Sequence, residues 1–199
     1  WSEADGRARR VLERELRAIG LEPWADGMGN LHARLEGTTG APAVLTGSHL
    51  DTVRNGGRYD GTYGVVAALE ALRSFHDEGY KPERAIEFIA FAEEEGSNFG
   101  STCLGSKGIV GQIDVEGLKR LSNTEGSAYD KLRAFGLDPD ALPGQHTDVR
   151  RGQHSSGGGN GGTGGDVLTP EHHIGVGLEL GVNAHLLFPA VGQLLHQNA

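Results

Sequence analysis

Residues 42–92 carry the feature that most limits how this chain can fold: an apolar run, an amphipathic helix and a second apolar run. Pro42–Ser48 reads as a short buried strand. Between Thr62 and Gly79, Val65, Val66, Leu69, Leu72 and Phe75 recur at helical spacing, and Gly79 closes the segment. Ala85–Ala92 (Ala-Ile-Glu-Phe-Ile-Ala-Phe-Ala) is the clearest strand in the sequence. Strand, helix, strand at this length is a crossover unit, which is nearly always right-handed and makes its two strands parallel. The spacing therefore predicts an α/β fold with a mostly parallel sheet flanked by helices. Ligands of such sheets bind just beyond the carboxyl ends of the strands. His49, Asp51 and Asp60 follow one of these ends, and Glu93-Glu94-Glu95 follows the other, so both clusters are expected on one rim.

The segments around this unit supply its cover. Ser2-Glu3-Ala4-Asp5 has the form of a capping box with Asp5 in place of the usual Glu. Ala8, Val11, Leu12, Leu16 and Ile19 then mark one buried helical stripe that ends at Gly20, with Arg9, Arg10, Glu13, Glu15 and Arg17 as the solvated face. Leu31, Ala33 and Leu35 alternate with polar residues, so Asn30–Glu36 reads as a half-buried strand after the turn signals Asp26-Gly27 and Gly29-Asn30. Ser127 to Phe135 suggests a further helix ending at Gly136. From about Pro143 the composition changes. Gly157-Gly158-Gly159, Gly161-Gly162 and Gly164-Gly165 dominate, and the reading is residues 1–142 as one domain followed by a Gly/His-rich tail over 143–199.

Charge and composition narrow the partners. A formal charge of −9 with no offsetting basic patch argues against nucleic acid or an anionic membrane surface. No apolar run approaches the roughly 20 residues needed to cross a bilayer, and no signal peptide is evident, so the expected compartment is the cytoplasm. The first residue is Trp1, which suggests a fragment or a processed chain. Cys103 is the sole cysteine, which excludes an internal disulfide framework and a cysteine-rich zinc site and leaves it as a small buried hydrophobe.

Singly, a His-x-Asp pair, a run of Glu and a Gly-Gly turn are common. Together on one rim they make a metal-ligating set. Imidazole and carboxylate donors suit Zn²⁺, Mn²⁺, Co²⁺ or Ni²⁺. Asp51 could accept the second ring N–H of His49 and fix its tautomer. Asp60 could bridge two ions, Glu95 could close the shell of one, and Glu94 could act as general base on a metal-activated water. Other motifs carry less. Gly100 to Lys107 imitates a phosphate loop with its Lys and Ser in the wrong order, and Ser48, His49 and Asp51 lie too close in sequence for a hydrolytic triad. The histidines from His146 to His196 are too irregularly spaced for a designed metal tail.

Three segments carry a resemblance: Gly47-Ser48-His49-Leu50-Asp51-Thr52-Val53, Asn55-Gly56-Gly57-Arg58-Tyr59-Asp60-Gly61, and Ala90 to Gly100 (Ala-Phe-Ala-Glu-Glu-Glu-Gly-Ser-Asn-Phe-Gly). They resemble the M20-type metallopeptidase superfamily and, more narrowly, its hydantoinase/carbamoylase branch of N-carbamoyl-L-amino-acid hydrolases, allantoate amidohydrolases and ureidopropionases. The resemblance runs from Trp1 to about Leu142. It implies two divalent ions, with His49 a terminal ligand of one, Asp60 bridging, Glu95 on the other, Glu94 the general base and Asp51 the partner of His49. It implies hydrolysis of a carbamoyl or ureido C–N bond in a small acid; aminopeptidases and N-deacylases of the same superfamily are the alternative, as is a truncated, inactive relative. The family's next ligand lies in a Glu-Leu-His-Ile-Glu-Gln-Gly segment, to which Glu171-His172-His173-Ile174-Gly175 is the nearest counterpart, making His173 the matching residue. The family's last ligand and its lid domain have no counterpart. Because relatives dimerise through the lid, this chain is expected to be a monomer acting on a small molecule.

Overall fold

The computed structural model describes residues 1–144. Helix α1 (Glu3–Ala18) starts where Ser2 accepts the Asp5 N–H at 3.2 Å, and Gly20 beyond its end takes φ +76°. Strands β1 (Trp24–Ala25) and β2 (Leu31–Leu35) follow, then β3 (Val44–His49), helix α2 (Thr62–Asp77) and β4 (Ile86–Phe91). Beyond β4 come the short helices α3 (Leu104–Ile109) and α4 (Val115–Arg120), a hairpin of β5 (Ser122–Asn123) and β6 (Gly126–Ser127), helix α5 (Ala128–Ala134) and a 3-10 turn at Pro139–Gly144. The last helix is the one expected before Gly136, held by a reciprocal capping box between Ser127 and Asp130. No helix among the described residues is long and apolar enough to cross a membrane.

The sheet order is β1-β2-β4-β3. β3 and β4 are parallel, joined through α2 as the crossover pattern requires. The other two pairings, β1 with β2 and β2 with β4, are antiparallel. The expectation of a mostly parallel sheet is thus corrected to a mixed one. For β1 and β2 the cause is local: a tight turn at Asp26–Asn30, closed by Gly29 N–H on the Asp26 carbonyl at 2.9 Å with Gly29 at φ +79°, returns an antiparallel neighbour, and β2 of that hairpin then docks antiparallel on β4.

One core lies between the sheet and both long helices. Phe88 and Ala90 of β4 face it together with Leu31 and Ala33 of β2, Leu12 and Leu16 of α1, and Val65, Leu69 and Leu72 of α2. Phe88 is fully buried, and a cavity left in its place would cost about 3–5 kcal/mol. Met28, Leu104, Leu118, Ala128 and Leu132 form a second cluster under α3–α5. Gly47 is required where β3 and β4 meet: a Cβ there would lie 1.7 Å from the Ile89 carbonyl oxygen.

Two groups placed on solvated faces by pattern are buried instead. Arg9, only 6% exposed, holds Asp5 at 2.9 Å, donates to the Gly29 carbonyl and lies over the Phe135 ring, so it fastens α1 to the β1–β2 turn. His32, on the polar side of β2, is buried under Trp24, whose ring stacks on it with centroids 5.2 Å apart. Its ring nitrogens lie 3.0 Å from Glu87 and 3.3 Å from Asp26. Burial lowers the imidazole pKa, but the hydrogen bonds and charges of Asp26 and Glu87 outweigh it and raise the value to about 9. A folded-state pKa above the unfolded one stabilises fully below about pH 6.5 and is lost as pH climbs through 9. Urea unfolding should therefore show stability falling between pH 6.5 and 9 by up to about 3 kcal/mol, and the fall should be absent in His32→Gln.

Candidate metal centre

The parallel register sets His49, the last residue of β3, beside Phe91, the last of β4. The loop after β3 and the acidic turn after β4 thereby leave the sheet side by side. Gly61, at φ +66°, ends the first loop and opens α2 directly against the imidazole; a Cβ there would stand 2.4 Å from His49 Nδ1. The ring is oriented by a 2.9 Å bond between Nδ1 and the backbone carbonyl of Asp51. With Nδ1–H donating there, the Nε2 lone pair points into the acidic cluster.

Around Nε2, the Asp60 Oδ1 and Glu94 Oε2 atoms each lie at 3.6 Å. That is too long for a hydrogen bond, and it suits donors spaced around a cation. One donor atom each from His49, Asp60 and Glu95 lies within 4.8 Å of the other two. Glu95 Oε1 is buried without any hydrogen-bond partner. An orphaned carboxylate oxygen aimed among like charges is costly, and a divalent cation removes that cost. Burial raises the Glu95 pKa, the charges of Asp60 and Glu94 raise it further, and His49 partly offsets them. The residues present therefore fit a divalent ion, and their nitrogen and oxygen donors suit Zn²⁺, Mn²⁺, Co²⁺ or Ni²⁺.

The three consecutive glutamates have separate fates. Glu93 takes φ +51°, and its buried carboxylate accepts from the Asn98 N–H and side-chain amide at 2.8–3.2 Å. That left-handed step breaks the alternation of a strand and sends Glu94 and Glu95 toward His49. Glu94 also receives the Cys103 thiol at 3.5 Å. Cys103, itself at φ +58°, is half-buried at the site rather than a core hydrophobe; burial, then the Glu94 charge, pushes its thiol pKa up. The Asp51 carboxylate comes to 3.7 Å from the His49 ring, and the shorter 2.9 Å contact is made by its main-chain carbonyl. His173 lies outside the described residues, as do the Gly-rich run and the remainder of the expected tail.

Asn30, Asn98 and Cys103 were given no role at the site by the sequence reading. Asn30 is fully buried and binds Asp26, the Gly105 carbonyl and the Ala92 N–H, the last at 2.9 Å, so it anchors the base of the acidic turn. Its only sequence signal is a Gly-Asn pair that reads equally well as a turn. A cleft of about 590 Å³ lies next to the centre, lined in part by Leu50, Phe91, Asn98 and Phe99; it shares Asp51 and Glu93 with the site but none of His49, Asp60 and Glu95.

The fold thus sets a His/Asp/Glu donor group able to hold a divalent ion at the ends of adjacent strands. Residues 30–134 match the family model described as peptidase family M28, and the chain belongs to that family; the relatives it is similar to include hydantoinase/carbamoylase amidases. An N-carbamoyl-L-amino-acid amidohydrolase of Pseudomonas sp. (strain NS671) is 39% identical over 142 residues, 70% of this chain and 34% of the relative. Allantoate deiminase 2 of Glycine max is 39% identical over 140 residues, 69% of this chain and 29% of the relative. A crystal structure of a hydantoinase/carbamoylase family amidase from Burkholderia ambifaria superposes with a TM-score of 0.65 at 34% identity, covering 70% of this chain and 36% of that one. The chain spans about a third of the length of the curated relatives it matches.

If the cluster holds a cation, Glu95→Gln should lower zinc affinity by more than the ~10–100-fold that outer-shell partners cost. Isothermal titration calorimetry reads this directly. Affinity in the unaltered protein should also weaken as pH falls, because binding must displace the proton that the raised Glu95 pKa favours.

Proposed function

We propose that this protein forms the metal-binding part of an amidohydrolase that cleaves a carbamoyl or ureido C–N bond in a small acid, such as an N-carbamoyl-L-amino acid or allantoate. The observation that carries the reading is the convergence of His49, Asp60 and Glu95 around the partnerless Glu95 Oε1, with Glu94 beside them. The names of its relatives support the choice of substrate class.

His49, Asp60 and Glu95 would hold the metal, with Asp60 shared where two ions bind. Bound there, divalent ions would polarise the scissile carbonyl and lower the pKa of the attacking water. Glu94, half-exposed at the rim, takes the water's proton and returns it to the departing nitrogen. The Cys103 thiol, held on the other Glu94 oxygen, leaves Oε2 facing the cluster. His49 keeps its Nδ1–H on the Asp51 carbonyl throughout, so the ring enters the reaction only as a donor through Nε2.

A second reading is that this stretch binds metal without turning over. One observation favours it: Asp60 is 58% exposed on its side chain, open to a covering element. Ammonia release from N-carbamoyl-L-amino acids and allantoate, with and without added Mn²⁺ or Zn²⁺, decides between them. The hydrolase reading expects metal-dependent release, and Glu94→Gln should reduce it by ~10²–10⁴-fold while leaving metal binding intact. Metal binding with no release under any metal supports the second reading. Full activity in the Gln variant would remove Glu94 from the mechanism.

A further inference from the structure

The Asp51 carboxylate has a task that its place two residues after His49 does not suggest. Its Oδ1 accepts the peptide N–H of Glu94 at 3.1 Å and its Oδ2 accepts that of Glu95 at 3.0 Å. The same residue meets the His49 ring through its main-chain carbonyl at 2.9 Å, with its Oδ1 at 3.7 Å. We infer that the Asp51 carboxylate is a positioning residue for the acidic turn, which it holds through the two peptide groups that carry Glu94 and Glu95.

The geometry supports this on both sides of the turn. Two successive N–H groups pointing the same way form a small concavity that suits one carboxylate, and hydrogen bonds to an ionised acceptor are the stronger kind. The opposite, carbonyl side is fixed by the start of α3, where Cys103 N–H meets the Glu94 carbonyl at 2.7 Å and Leu104 N–H meets that of Glu93 at 3.0 Å. With both sides pinned, Glu94 and Glu95 are presented to His49 and Asp60 despite their mutual repulsion. Asp51 and the turn are 43 residues apart in sequence, so this contact also ties the β3 loop to the β4 loop. The functional weight of the inference rests on the reading of Glu94 as base and Glu95 as ligand. The contact itself does not.

The test uses the isotopically labelled full chain, with zinc as the probe. In the unaltered protein, hydrogen-bond-mediated couplings should join the Glu94 and Glu95 amide nitrogens to the Asp51 carboxylate carbon. Their absence overturns the inference, whatever any variant does. In Asp51→Ala, both amides should exchange with solvent at least ~10-fold faster and zinc affinity should drop ~10–100-fold. Asp51→Asn, which keeps one acceptor oxygen, should fall between. Undisturbed Glu94 and Glu95 amides in Asp51→Ala would overturn the inference, and unchanged zinc affinity would reduce the contact to a fold feature. Failure to hydrolyse carbamoyl substrates would count against the proposed activity and leave these couplings as they are.

Discussion

Everything at the candidate centre depends on the parallel register that seats His49 beside Phe91. Two strand ends in that relation send two loops off the same edge of the sheet, and short loops then suffice to bring an imidazole and three carboxylates together. The register is in turn held by how closely β3 and β4 approach, which Gly47 permits, and by Phe88 and Ala90, which lock β4 against both long helices. The apolar core and the acidic site are two faces of one arrangement: the first supplies the rigidity that lets the second gather like charges. Without such a frame, Asp60, Glu94 and Glu95 would move apart.

Buried polar contacts do the finer positioning. Asn30 reaches from the β1–β2 turn to the Ala92 N–H and the Gly105 carbonyl, joining the base of the acidic turn to α3. Glu93 turns inward to Asn98, and Asp51 spans the gap between loops. Each uses an amide or a carboxylate to satisfy backbone groups that a tight loop leaves unpaired. Further from the centre, Asp26, His32 and Glu87 form a charged layer within the sheet, shielded by Trp24.

Much of this was legible in the sequence. The crossover unit, its two strand ends and the helix before Gly136 follow from apolar periodicity, which reports burial directly. The shared rim of His49, Asp60 and the Glu run follows from topology. What could not be read was anything set by contacts between distant segments. Arg9 and His32 stand where pattern places solvated residues, and their burial depends on the Gly29 turn and on Trp24 folding back over β2. The mixed sheet depends on which side of β4 the first hairpin docks. The different roles of Glu93, Glu94 and Glu95 depend on one left-handed residue, and a run of three identical letters cannot show it.

The approach of β3 to β4 at Gly47 has a consequence for how such a site can diversify. With the Ile89 carbonyl oxygen occupying the space of a Cβ, that point of the sheet admits no side chain at all. Novelty in chemistry has to arise in the loops, where insertions and exchanges leave the frame untouched. The strand ends act as a fixed mount and the loops as interchangeable fittings, so one scaffold can be refitted for a new substrate without first being rebuilt.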